Sequence, residues 1–413
     1  MKLQSPFDAS YNFLYFKRTF PTASALIPLT VTLEFLVNTL LKLTGLVCLL
    51  TSGLFFSISL SAENSIELDY FKRAIKRDPG DLQAHLNYQR ILLQTGDGVA
   101  LKQEYRARLH ANPQDAAFIY LYGRLHEEDS QKRAFFFSAL QADSSFFQAQ
   151  FELGKIYYYA GEYSDAIVRY RMAARLKPKS AVVANLLGLA YYHSGYPGQA
   201  IVEYQKAIEN DPSFADAYLN LGLTYYYTDQ LDEAIETHTA ALKHAKWHDD
   251  QHLLHHNLGM VYRKQGHIDK AGDAYREALK LNPSYSDAYI SLGNLDFYRE
   301  NYAQAIEAFQ NAIGSPSENA DLHLRLGLAY FNTRVYPKAI LHFRQTLDLD
   351  STNIQTNHYL GRAYYLNDQP EKAIEALETF IAKETRREKR PRVAEAKTLI
   401  FDIQKERFTD LLK

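Results

Sequence analysis

Apolar and small residues recur along this chain at helical spacing, in blocks that repeat. From Phe147 the sequence reads FQAQFELGKIYYYAGEYSDAIVRYRMAARLKPKS. The fourth residue of that block, then Leu153, Gly154 and Tyr157, fall three and four residues apart, which is one face of a first helix. Ala166, Tyr170 and Ala173 mark the face of a second. Gly161 stands where the first helix must end in a left-handed conformation, and Pro178 stops the second. The next block repeats the pattern with Leu187-Gly188, Tyr191, Gly195, Ala200, Tyr204, Ala207 and Pro212. Further pairs follow at Leu221-Gly222, Leu258-Gly259, Leu292-Gly293, Leu326-Gly327 and Leu360-Gly361. From Gly154 to Gly361 the spacings are 34, 34, 37, 34, 34 and 34 residues.

The pattern reaches upstream in degraded form. Tyr122-Gly123 lies 31 residues before Gly154, and Gln89 takes the glycine position 34 residues before that. Phe71, Ala74 and Pro79 read as the second half of one more unit. The spacing therefore predicts a leading half repeat over 63–81 and nine repeats over 82–387, beginning near 82, 116, 147, 181, 215, 252, 286, 320 and 354. Glycine at the centre of each first helix lets the second helix approach, and Ala166 and Ala173 offer it a matching small surface. Pro197, Pro337 and Pro370 open second helices, where a missing N–H costs little. No hairpin of this kind buries its apolar faces alone; stacking makes the core. A last helix, with Ala396, Leu399, Ile400 and Ile403 on one side, is expected to cap the stack within 388–413.

The 34-residue period with L-G-x-x-Y, then A-x-x-x-Y/F, A and Pro, resembles the tetratricopeptide repeat (TPR). The customary Trp at position four is replaced, for example by Tyr218, His255, Tyr289 and His323. The resemblance implies an all-α TPR solenoid, a right-handed superhelix of antiparallel helix hairpins whose first helices line a concave groove. In that family positions two, five, nine, twelve and thirteen meet the ligand. By register, position twelve is Tyr158, Tyr192, Tyr226, Arg263, Phe297, Phe331 and Tyr365, and position thirteen adds Tyr159, His193, Tyr227 and Tyr298. These position-twelve residues are the candidate partner-binding site, an aromatic strip suited to a protein or peptide segment, or to a glycan. The bland alternative is that the rings pack between neighbouring hairpins. The family's carboxylate clamp is matched only in part: Asn294 precedes Arg325, but Ile290 stands at position five.

Charge and composition narrow the function. Lys+Arg number 46 against 48 Asp+Glu, a formal net charge of −2, so nothing draws the whole chain to nucleic acid or to an anionic membrane. The single cysteine, Cys48, excludes a disulfide framework and any Cys-based zinc site. No phosphate loop, metalloprotease or nucleophile-elbow motif is present. The repeats use up the chain, leaving no stretch for a catalytic domain, so the expectation is a non-catalytic scaffold without cofactor. Five histidines between His244 and His256 (His244, His248, His252, His255, His256) recur at three- and four-residue spacing. A surface cluster is expected there, with a metal site as the sharper alternative. The basic stretch KETRREKRPRVAEAK, near 383–397, reads as a solvated helix end.

Residues 1–62 differ from the rest. From Leu43 to Leu60 the chain carries no charge; Lys42 precedes this core and Ser61-Ala62 follow it. Those three parts predict a signal peptide cleaved near Glu63, or a single transmembrane anchor. The expected location is accordingly exported, periplasmic or envelope-associated, with membrane contact only through this segment. The leading function is a protein-binding scaffold; the alternative is a carbohydrate-binding or polysaccharide-export assembly module.

Overall fold

The computed structural model describes residues 52–245, 250–313, 319–386 and 390–411, with side chains described from Ser65 to Glu406. Those residues form helices joined by short turns, and they divide into two compact units, one ending at Asn210 and the other beginning at Asp211. The first unit begins with a long helix, α1 (Ser52–Arg77). Four hairpins follow: α2 (Leu82–Thr95) with α3 (Gly98–Ala111), α4 (Ala116–Gly123) with α5 (Asp129–Ala142), α6 (Phe147–Tyr159) with α7 (Tyr163–Leu176), and α8 (Ala181–His193) with α9 (Pro197–Asn210). The second unit has five: α10 (Ala215–Tyr227) with α11 (Leu231–His244), α12 (Gln251–Lys264) with α13 (Ile268–Leu281), α14 (Ser286–Tyr298) with α15 (Tyr302–Ile313), α16 (Ala320–Asn332) with α17 (Tyr336–Leu349), and α18 (Ile354–Leu366) with α19 (Pro370–Lys383). A single helix, α20 (Arg390–Leu411), closes it. Each unit is an all-α stack of antiparallel pairs.

The repeated residues explain the hairpin. A Cβ placed on Gly154 would lie 2.5 Å from the Tyr170 ring, and one on Gly188 would lie 2.6 Å from Tyr204. The partner of the glycine is therefore the ring at position 24 of the second helix. The alanines at positions 20 and 27, such as Ala166 and Ala173, are fully buried on either side of it. In the five hairpins of the second unit the same place is taken by His238, Tyr275, Phe309, Phe343 and Leu377. Caps close the helix ends: Asp115 accepts from the backbone N–H groups of Ala117 and Phe118, and Ser180 from that of Val183.

The expected signal peptide or membrane anchor ahead of the repeats, with its cleavage point near Glu63, is corrected. α1 is one unbroken helix that carries the second half of the apolar stretch through Ser61-Ala62 into the leading half repeat. There Ile75 is buried and Phe71 packs in the core of the first unit. Nothing between Leu54 and Arg77 stops a helix, since that stretch holds neither Pro nor Gly. Among the described residues no helix is long and apolar enough to cross a membrane. α1 has the length, but Glu63, Glu67, Asp69, Lys72 and Arg73 fall along it. Residues 1–51, including the first half of the predicted apolar core, lie outside the described residues.

Hairpin turns carry a measurable cost. Gly96, Gly161, Gly195 and Gly266 end first helices with φ between 76° and 89°. At the equivalent turns Asp229, Glu300, Arg334 and Asp368 hold φ of 55–65° without being glycine, a conformation that strains an L-residue by about 1–2 kcal/mol. Glu300→Gly and Arg334→Gly should each stabilise the chain by about 0.5–1 kcal/mol net of the extra freedom glycine has when unfolded, read as a rise in melting temperature.

His238 sets the pH response. It is fully buried beneath Gly222, and neither ring nitrogen has a hydrogen-bond partner among the described residues. Burial lowers its pKa from 6.5 to about 4, so the folded chain refuses a proton that the unfolded chain accepts. Stability is then complete above pH 6.5 and falls as the pH drops from 6.5 towards 4. His256, lowered to about 3 by burial and then by His252, and His342, lowered to about 4 by burial and then by His323, act in the same direction. At pH 4.5 His238→Phe should recover about 2–3 kcal/mol relative to the parent. Denaturation followed at pH 7.5 and 4.5 measures this; an equal slope in both proteins would remove His238 from the account.

Candidate functional site

First helices present three adjacent columns at their C-terminal ends. Position eleven is the inner one. Tyr191, Tyr225, Tyr330 and Tyr364 are buried, while Tyr157 and Tyr262 are half-buried and Asp296 replaces the ring in the hairpin of α14. Two of the buried phenols are anchored by polar partners: Arg171 Nε donates to Tyr191 Oη at 2.7 Å, and Gln310 Nε2 donates to Tyr330 Oη at 2.9 Å. Position thirteen is the outer column. Tyr159, Tyr227 and Tyr298 are exposed, Tyr298 at 77%, and His193 is half-buried.

Position twelve lies between. Tyr158 is buried, and Tyr192, Tyr226, Arg263, Phe297, Phe331 and Tyr365 are half-buried. One edge of several of these rings rests on the start of the second helix in the same hairpin, five residues on. The ring centroids are 5.6 Å apart for Tyr158–Tyr163, 5.2 Å for Phe297–Tyr302 and 5.8 Å for Phe331–Tyr336. The next hairpin covers others with a cation. Lys264 Nζ lies 4.7 Å from the Tyr226 ring centre and donates to the Tyr226 carbonyl at 2.8 Å. The Arg362 guanidinium lies 5.4 Å from the Phe331 ring centre. Tyr365 Oη donates to Glu406 of α20 at 3.3 Å. The sequence carries a trace of the i, i+5 clasp, since Tyr or Phe at twelve is paired with Tyr at seventeen in those three hairpins.

Burial raises the pKa of the Tyr158 and Tyr192 phenols, so both hydroxyls are neutral near pH 7 and serve only as hydrogen-bonding groups. The partial carboxylate clamp is occupied from within. Arg325 is 5% exposed, pairs with Asp321 at 2.7 Å and donates to the Asn294 side-chain carbonyl. A guanidinium so committed is not open to a partner's carboxylate.

The histidine cluster departs from the surface reading. His252 and His256 are buried, because the following hairpin closes over them. Tyr285 packs edge-on against both rings, Ser291 Oγ is hydrogen-bonded to His256 at 2.9 Å, and the Asn282 amide lies 3.3 Å from His252. His248 lies outside the described residues. Among the described residues no three His, Cys, Asp or Glu side chains converge as metal ligands would.

Tetratricopeptide-repeat models match residues 154–195, 181–214, 213–284, 290–354 and 358–384, which together take in more than half of the chain. The chain belongs to the tetratricopeptide-repeat superfamily. Its position-eight glycine, position-24 ring and hairpin turns are the TPR elements described above, and it is a non-catalytic protein-interaction scaffold of that family. A stretch of 57 residues is 37% identical to human tetratricopeptide repeat protein 6, covering 14% of this chain and 11% of that protein. Among solved structures, PilF of Pseudomonas aeruginosa is 20% identical, covers 53% of this chain and 98% of its own, and has a TM-score of 0.46. The C-terminal part of a TPR repeat-containing protein from Cytophaga hutchinsonii is 15% identical, covers 59% and 99%, and has a TM-score of 0.48.

The columns separate in stability. Tyr225→Ala removes a ring that is 8% exposed and should cost about 3 kcal/mol, whereas Tyr298→Ala, at the surface, should cost less than about 0.5 kcal/mol. Tyr226→Ala is expected between them. Thermal melting of the three variants tests the order.

Proposed function

We propose that this scaffold holds an extended protein segment against the first helices of its hairpins. Its grip comes from the outer column, backed by the half-buried position-twelve column. The observation that carries this reading is the exposed apolar side chain at one register position in alternate hairpins of the second unit: Tyr227 at 41%, Tyr298 at 77% and Leu366 at 46%, with Lys264 and Asn332 at that position between them. Surface rings of this kind bring large contact area at small entropy cost, because a tyrosine has few rotamers to lose. Tyr159 presents the same edge in the first unit. Tyr226, Phe297, Phe331 and Tyr365 are held on one side by the clasp, the neighbouring cation or Glu406. Fixed rings leave little further entropy to lose when a ligand arrives.

A glycan is the weaker occupant. Sugars need free polar side chains beside each ring, and two polar clusters of the first helices are spent internally: Arg325 with Asp321 and Asn294, and His256 with Ser291. A peptide needs fewer such groups and more apolar contact.

Photo-cross-linking tests the reading. A benzophenone amino acid replaces Tyr227 or Tyr298 in one set of proteins and Leu341, exposed on a second helix, in another. One and the same protein should be captured from the two first-helix positions and not from Leu341. Equal capture at Leu341, or none at Tyr227 and Tyr298, would sink the groove assignment.

A further inference from the structure

The terminal helix α20 runs alongside α18, and its contacts fall on the register positions of α18 that face a ligand in the family. Arg392 hydrogen-bonds Gln355 at position two, Glu395 pairs with Arg362 at position nine with 3.5 Å between them, and Glu406 accepts from Tyr365 at position twelve. Between the two helices lies a cavity of about 410 Å³, lined by Arg362, Tyr365, Leu366, Glu395, Leu399 and Asp402 among others. That volume is ample for one long side chain. Leu366, half exposed, and Leu399 supply apolar wall.

Charge decides what fits. Arg362 is matched by Glu395. Asp402 is exposed and has no ion-pair partner among the described residues. Glu406, one turn further on, accepts from the Tyr365 hydroxyl and has no ion-pair partner among the described residues. The cavity therefore joins surplus negative charge to apolar surface and a phenol ring. A carboxylate entering it would meet like charges, with its one guanidinium already taken. A long aliphatic chain ending in a cation would satisfy all three features: stem on the leucines, head at Asp402, and the ring beside the charge.

We propose that this cavity binds a lysine or arginine side chain of the protein segment carried by the first helices. The proposal rests on that reading and names the chemistry of one anchor residue in the partner.

The test titrates full-length protein, with methyl-labelled leucines, with the peptide acetyl-Gly-Ala-Arg-Ala-Gly-amide and its lysine, citrulline and glutamate analogues. The arginine and lysine peptides should shift the methyl signals of Leu366 and Leu399. Citrulline keeps the shape of arginine without its charge and should bind at least about tenfold more weakly. Asp402→Asn, at an exposed side chain, should weaken the arginine peptide by about tenfold with an unchanged circular dichroism spectrum. Citrulline or glutamate binding as tightly as arginine, undiminished binding by Asp402→Asn, or silent leucines up to about 10 mM peptide would each overturn the proposal. Cross-linking at Tyr227 and Tyr298 reads the outer column without this cavity. A partner captured there beside a silent cavity refutes this anchor and leaves the scaffold reading standing.

Discussion

Everything in this chain depends on one close approach, in which a ring or branched side chain of the second helix lies flat over a glycine of the first. The contact leaves no room for a Cβ, as at Gly154 under Tyr170 and Gly188 under Tyr204. It brings the two helices near enough for the flanking alanines to be buried completely. It also fixes which face of the first helix remains for the next hairpin and which for solvent. Because every hairpin after the first, where Gln89 replaces the glycine, has this contact inside itself, stability is distributed along the stack and each pair depends mainly on its neighbours. Variation at the ring position shows what the contact requires. Tyr, Phe and Leu satisfy it with apolar bulk alone, whereas His238 brings two nitrogens that find no partner among the described residues. The same geometry that strengthens most hairpins thus makes that of α10 and α11 sensitive to acid.

The turn imposes the second constraint. The first helix ends in a left-handed residue so that the chain can reverse in a few residues, and half of the turns with such a residue meet this without glycine. Beyond the turn, the ring at position twelve reaches the start of the second helix in three hairpins and packs there. Apart from the buried Tyr158, the middle column is therefore half-buried, neither core nor free surface. Its rings brace the hairpin on one edge and offer the other edge outward.

Function follows from that division. The inner column is tied down by burial and hydrogen bonds, and the middle one by its clasp or by a cation from the next hairpin. The outer column keeps the most exposed of these rings, Tyr298 above all. Polar groups that a distant sequence comparison would nominate for ligand binding, Asn294 and Arg325 above all, are used internally. The proposed recognition therefore relies on apolar contact, with charge at the margins as in the cavity beside α20.

The 34-residue recurrence by itself determined the helical hairpins, the glycine under the second helix, the left-handed turns and the register that places Tyr157, Tyr158 and Tyr159 on successive columns. All of these are local: a 3.6-residue period and a few backbone-special residues specify them within one block. The unbroken helix from Ser52 was also legible in principle, since no Pro or Gly interrupts it after Leu54, yet the lack of charge over 43–60 spoke louder. Burial was not legible. Neighbouring residues on a helix point about 100° apart, so register says which column a ring joins. What covers that ring comes from a chain segment about one repeat away. Lys264 over Tyr226, Arg362 over Phe331, and Tyr285 and Ser291 over His256 are contacts of that kind, as is the cavity between α18 and α20. Only the tertiary structure decided them, because a side chain's exposure depends on what the next hairpin lays against it, and periodicity within one hairpin carries no record of that.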